Sequence, residues 1–329
     1  MRNYYYVTAN TAEGFINLLP SNINHLQQII SLNHPSQTVK TKILKDIITK
    51  YESTCEVEVL KSALGERYLD GVVIREKSIA ILNRSIVPND MSEVTELDLI
   101  QYTQDTPVKN AELEEKFIHH TENAYKHLQT GLRIHDDLEE IYIKEMDFKK
   151  SRCNCRFVYS KRLTWTTEKK SGWSRVPPLF WHYNRGWSCQ CRPPYYRKTF
   201  TCFFYIKGRA GTGKSTFMKK VASTCIEYGY DTEIHHCSFD PDSIDMVLVP
   251  ALDFCMFDST DPHEFFPTRE GEEIIDLYKE AVTPGTDEKF TDEINKVNDH
   301  YKSYMKESVI ELKKSWRIPG SFGATVFLY

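Results

Sequence analysis

The segment Gly208-Arg-Ala-Gly-Thr-Gly-Lys-Ser215 sets two glycines, a lysine and a hydroxyl at the spacing G-x-x-x-x-G-K-[ST]. That spacing suits capture of a nucleoside triphosphate tail. Gly208, Gly211 and Gly213 permit backbone angles and close approaches that a side chain would block, so successive N–H groups can turn into one anion-sized concavity. A helix starting near Lys214 adds the positive end of its dipole. In this pattern Lys214 reaches the β- and γ-phosphates as a mobile cation and the Ser215 hydroxyl ligates Mg²⁺. The predicted ATP-binding set is Gly208, Arg209, Ala210, Gly211, Thr212, Gly213, Lys214, Ser215 and Thr216. From average composition the four fixed positions coincide by chance in roughly one chain in a hundred of this length.

Elements that could hold this loop lie in the required order. Phe203–Ile206 is an apolar run suited to a buried strand, and Phe217, Met218, Val221, Ala222, Cys225 and Ile226 recur on one helical face ahead of Gly229, a C-cap residue. Magnesium also needs a carboxylate at the end of a neighbouring strand. Phe254-Cys-Met-Phe-Asp258 supplies one, so Lys214 and Asp258 are the predicted catalytic residues and Ser215 and Asp258 the predicted metal ligands. An apolar run ending in Asp is also an ordinary strand followed by a cap. Between these segments Asp231–Phe239 reads as a strand leading to Asp240, Asp242 and Asp245, which either face the nucleotide or an acceptor, or form a turn. Asp261, His263, Glu264 and Arg269 follow where water-orienting or charge-neutralising groups could lie, and equally read as a solvated loop.

An internal comparison extends the pattern to the first half. Shifted by 174 residues, Ile29–Leu32 falls on the strand before the loop, His34 and Val39 fall on Gly208 and Gly213, and Lys40 and Thr41 fall on Lys214 and Ser215. Shifted by 175, Asp70 falls on Asp245 and Asn83 on Asp258. Only three of the 28 positions from Glu58 to Ser85 are identical to their counterparts, so the shared register of strand, loop, helix and strand carries the comparison. The β-carbons of His34 and Val39 obstruct a phosphate concavity and Asn83 cannot replace a metal-binding acid. The first copy is therefore expected to have lost its chemistry.

Composition bounds the rest. With 329 residues, 40% hydrophobic and 27% charged, the chain suits one large or two smaller globular domains. No apolar run reaches the roughly 20 residues of a membrane helix and no leader is visible, which points to a cytoplasmic protein without a membrane partner. Nine cysteines, an odd number, read as mostly reduced thiols. The net charge of −4 hides a window from Ser151 to Phe200 with eleven Lys or Arg against Glu168 alone, leaving −14 on the remainder. The window holds four of the five tryptophans and Cys153, Cys155, Cys189 and Cys191. Three readings compete for it: a poorly ordered basic loop, a four-thiolate zinc site, or a single-stranded nucleic-acid surface built from arginines and aromatics. The long segments Glu112–Lys144 and Asp292–Lys314 read as polar helices covering a core.

Taken together, Tyr205–Thr216, His236–Asp245, Phe257–Glu264 and Pro284–Lys289 make the chain similar to P-loop NTPases. More narrowly it resembles an uncharacterised bacterial family of tandem P-loop ATPases, with Thr8–Phe15 and Leu69–Ile74 matching that family's first copy. The resemblance covers most of residues 1–150 and 203–314. It implies an α/β fold of two tandem P-loop domains with mostly parallel sheets flanked by helices, and ATP with Mg²⁺ as ligands, without fixing a substrate or a protein partner. The expected divisions are a degenerate P-loop-like domain at 1–150, the basic Cys/Trp-rich segment at 151–202 and a nucleotide-binding domain at 203–329. The expected function is a Mg²⁺-dependent ATPase or phosphotransferase, with a nucleotide-binding switch as the alternative. Neither the repeat nor the resemblance extends through the basic window or past residue 318, a misfit expected of segments translated from a shifted reading frame.

Overall fold

A computed structural model describes residues 2–65, 67–102, 110–147, 150, 179–181, 200, 202–260 and 264–318. The four cysteines of the basic window, its arginine-rich stretches and the tail beyond 318 lie outside the described residues, as do Asp261 and His263. Of the described residues, those up to 128 and those from 306 on belong to one compact unit, and those from 129 to 147 and from 202 to 305 to another.

The first unit begins with β1 (Arg2–Tyr5), the hairpin β2 (Thr8–Thr11) and β3 (Gly14–Asn17), and a short helix α1 (Leu19–Ile23). Then come β4 (Gln28–Asn33), α2 (Gln37–Tyr51), β5 (Val57–Lys61), β6 (Leu69–Ile74), β7 (Ile79–Asn83) and β8 (Val94–Asp98). Its main sheet runs in the order β1-β5-β6-β7-β4-β8. In α2, Gln37, Thr41, Leu44 and Ile48 are buried along one face. Leu44 and Ile48 pack with Leu32, Val59 and Val72 on one side of the sheet, while Val7, Leu19 and Ile23 cover Leu60, Val73 and Leu82 on the other. Each such side chain contributes about 1.5–3 kcal/mol by leaving water.

A three-residue strand, β9 (Leu179–Trp181), precedes the second unit's elements β10 (Cys202–Lys207), α4 (Lys214–Glu227), β11 (Glu233–Cys237), β12 (Ile244–Val249), β13 (Phe254–Asp258) and β14 (Glu272–Asp276). Short helices α5 (Leu277–Ala281) and α6 (Thr286–Lys289) follow. The strands run β14-β10-β13-β12-β11, the same order as β8-β4-β7-β6-β5. Phe217, Met218, Val221, Ala222 and Cys225 bury the inner face of α4 against Phe204, Ile206 and Met256.

The two ladders agree residue for residue. Leu32 pairs with Asn83 and Ile206 with Asp258; Gly71 pairs with Leu82 and Met246 with Phe257. Each sheet has a register shift at the same place, between Leu60 and Lys61 in one and between His235 and His236 in the other. Ser78 and Asp253, which end matching 3-10 turns, both have φ 53° and ψ 39°.

The parallel pairings are β1 with β5 and β4 with β7 and β8 in the first sheet, and β10 with β13 and β14 in the second, whereas β5–β6–β7 and β11–β12–β13 are antiparallel. The sheets are thus mixed rather than mostly parallel. The reason is chain length: residues 75–78 and 250–253 are too few for a crossover of a dozen or more residues, so the chain returns as a hairpin.

Two long helices complete the fold, α3 (Ala111–Lys144) and α7 (Thr291–Arg317). Within the second unit, Leu138, Ile141 and Tyr142 of α3 pack with Val282 and Ile294. Within the first, Phe117 packs on Leu64. No described helix is long and apolar enough to cross a membrane.

Candidate functional site

Strand β10 ends at Lys207, and the chain turns through residues 208–213 before α4 starts at Lys214. Gly213 is the N-cap residue with φ 80° and ψ 21°, and no side chain caps the helix. Gly211 has φ 70°. Two left-handed glycines ahead of an uncapped helix leave main-chain amides available to an anion. A Cβ at Gly208 would fall 2.3 Å from Thr212 Oγ1. Thr212 Oγ1 and Lys214 Nζ each donate to the Arg209 carbonyl, both at 2.8 Å, so the loop is latched on itself.

Because β13 lies beside β10 in parallel, Asp258 arrives at the end of the sheet that carries the loop. Its Oδ2 is 3.7 Å from Lys214 Nζ, and the two side chains are 20% and 13% exposed. Its Oδ1 accepts from the amide and hydroxyl of Thr260 at 3.1 and 2.5 Å. Ser215 Oγ accepts from the Ile244 amide at 3.0 Å, tying the first turn of α4 to β12. The next residue, Asp245, has its carboxyl pushed up to about 8, first by burial and then by Asp258, with the Cys237 thiol and Lys214 opposing. Asp240 closes a turn, accepting from the Asp242 amide and the Ser243 hydroxyl at 3.1 and 2.5 Å.

Of the residues singled out from sequence, the structure brings together the loop 208–216, Asp258, Asp245 and Asp240. Asp242 is exposed. Glu264 pairs with Lys207 at 2.6 Å, and Arg269 pairs with Glu272 at the start of β14, at the opposite end of the strands from the loop. Among the described residues no group of three or more His, Cys, Asp or Glu is arranged to hold a metal ion.

Sequence reasoning missed two sets of neighbours. Arg209 binds Asp287 Oδ2 through Nε and Nη2 at 3.1 and 2.7 Å and lies 5.3 Å from the Tyr278 ring centroid. Tyr142 donates to the same carboxylate at 3.0 Å. Burial opposes ionisation of Asp287, but hydrogen bonds from Arg209 and Tyr142 outweigh it and hold the carboxyl below its usual value. The second set is on α3. A Cβ on Gly211 would lie 2.7 Å from the Glu139 carbonyl oxygen, and His135 Nδ1 is 3.7 Å from Glu139 Oε1. Nothing local in the acidic segment 135–141 signals this contact; the His135–Glu139 spacing is the one trace, and it is common on exposed helices.

The corresponding region of the first unit is closed. There α2 starts at Gln37, three residues before the counterpart of Lys214, with Ser36 accepting from the Val39 amide at 3.4 Å and His34 Nδ1 accepting from the Ser36 amide at 3.0 Å. The loop is wound into the helix and no amide concavity forms. Lys40 Nζ donates to Asn83 Oδ1 at 2.7 Å, and Asn83 donates to Gln37 at 2.6 Å. Thr41 Oγ1 accepts from the Leu69 amide at 3.1 Å, the same bond that Ser215 makes with Ile244. Asp70 accepts from Thr8 Oγ1 at 2.9 Å and is 2% exposed.

Burial, opposed by Ser62, Thr8 and Lys40, raises the Asp70 carboxyl from 3.8 to about 6. Between those values the folded chain holds a proton that the unfolded chain has released, so stability falls as pH rises through this window. At 1.36 kcal/mol per unit, Asp70→Asn should flatten the pH 4–6 stability profile by about 2–3 kcal/mol. Denaturant unfolding of both proteins across that range checks it, and parallel profiles would contradict it.

Comparison with known proteins finds no matching family model, no matching curated protein and no matching solved structure.

Proposed function

We propose that the second unit is a P-loop nucleotide-binding domain that binds ATP with Mg²⁺ and hydrolyses it or transfers its γ-phosphoryl group, and that the first unit is a degenerate copy. One observation carries this reading: the uncapped start of α4 follows two left-handed glycines, with Lys214 and Asp258 set 3.7 Å apart beside it. In that frame the amides of 208–216 surround the phosphates and Lys214 offsets their charge.

Magnesium fits the donor set. It dehydrates reluctantly and keeps several waters, so one or two protein oxygens together with phosphate oxygens suffice, and a three-residue protein cage is not required. The Ser215 hydroxyl and the Asp258 carboxylate would hold it. Bound there, the ion neutralises charge developing on the phosphate oxygens.

Calorimetry with the purified chain tests the reading, with Mg²⁺-dependent uptake of ATP or GTP as the expected result and phosphate release measured alongside. No such uptake would sink it. Uptake with neither phosphate release nor transfer to any offered phosphate acceptor would assign the chain to nucleotide-binding switches instead.

A further inference from the structure

Transfer of a phosphoryl group to water requires something to accept the proton of the attacking oxygen. Of the carboxyls already placed near the loop, Asp258 is committed to Thr260 and faces Lys214, Asp240 is committed to the Asp242 amide and the Ser243 hydroxyl, and Asp245 is tied to the Cys237 thiol. We propose that Glu139, on α3, is the general base that activates the attacking water, an inference that rests on the nucleotide site proposed above.

The placement is specific. The Glu139 main chain touches the loop, with its carbonyl oxygen 2.7 Å and its Cα 3.0 Å from where a Gly211 Cβ would be. The Gly211 amide and Lys214 stabilise its carboxylate, so the side chain lies at the concavity that the phosphates would enter. His135, one helical turn back, has Nδ1 3.7 Å from Glu139 Oε1. Its ring is packed against Phe239 and Tyr301, with centroids 6.2 and 5.3 Å away. The imidazole, packed against two aromatic rings, therefore borders the Glu139 carboxylate on one side, and the 39% exposure of that side chain leaves it open to water. Burial is the largest influence on Glu139 and raises its proton affinity, with Asp240 adding to it and Gly211 and Lys214 opposing. That favours a group which must take up a proton.

In the hydrolytic step the water oxygen bonds to the γ-phosphorus while the bond from that phosphorus to the β–γ bridging oxygen breaks. The bridging oxygen keeps the electron pair and leaves as the nucleoside diphosphate. The proton of the water passes to the Glu139 carboxylate, which later releases it to solvent.

Glu139→Gln keeps the size and removes the base. Single-turnover phosphate release with Mg²⁺ and ATP should fall by about 100-fold, the lower bound for loss of a general base, while calorimetric ATP uptake stays within about threefold of wild type. Formate should restore part of the release to Glu139→Ala, a rescue that a merely structural side chain would not show. If wild type takes up no nucleotide, the site reading itself fails. If wild type binds and hydrolyses ATP and Glu139→Gln turns over equally fast, the base assignment is overturned while the site stands. Tighter ATP uptake with unchanged turnover also overturns it, making Glu139 an occluding group, as does ATP uptake by wild type without any hydrolysis.

Discussion

Lys214→Ala should weaken uptake of Mg²⁺–ATP by about 10–100-fold, the equivalent of about 1.5–3 kcal/mol for a hydrogen bond to a charged group, and should take phosphate release to background. The side chain is 13% exposed and latched to the Arg209 carbonyl, so its cation is already held at the loop before any ligand arrives. Lys40→Ala provides the internal control. Lys40 occupies the corresponding position in the first unit, but its ammonium is spent on Asn83 at 2.7 Å and the residue is 2% exposed. Removing it should lower thermal stability and leave ATP uptake unchanged. Equal loss of uptake in the two variants would mean that the first unit contributes to binding, against the division of roles proposed here.

Gly211→Ala should abolish uptake and destabilise the fold by more than Gly213→Ala does. Both glycines have positive φ, 70° and 80°, and for an alanine that geometry costs about 1–2 kcal/mol. The difference lies in what a methyl group would meet. At Gly213 nothing lies within 4 Å, whereas at Gly211 the methyl meets the main-chain carbonyl of Glu139 at 2.7 Å. A backbone oxygen in a helix cannot rotate aside, so either the loop or α3 must move, and overpacking of this kind typically costs a further 1–3 kcal/mol or so. Thermal unfolding of the two variants isolates that contact. Matching melting temperatures would show that α3 does not constrain the loop.

What was legible in the sequence follows the range of the interactions. The loop, its flanking strand and helix, and Asp258 could be read because each depends on a few adjacent residues. The repeat could be read because ladder register preserves spacing when identity has gone. The hairpins β6–β7 and β12–β13 were also inscribed in short connections, and only an assumption of parallel pairing hid them. The early start of α2 turns on the Ser36 cap, a one-residue signal easily passed over beside a lysine alignment. Nothing in the sequence tied Glu139 or Asp287 to the loop, although Asp287 lies in the matching stretch Pro284–Lys289: one reaches the loop from a helix over 60 residues upstream, the other from nearly 80 residues downstream, as the Arg209–Asp287 separation of 78 shows. Arg269, close to Asp258 in sequence, is carried to the far end of the strands because β14 starts there.

The matched bulges and cross-strand partners of the two sheets have an architectural corollary. All the bonds that specify strand placement lie outside residues 34–39 and 208–213, so those connections are free to diverge without disturbing the framework they join. One half closes this connection into a helical turn and the other keeps it as an open glycine loop, while the same scaffold serves both.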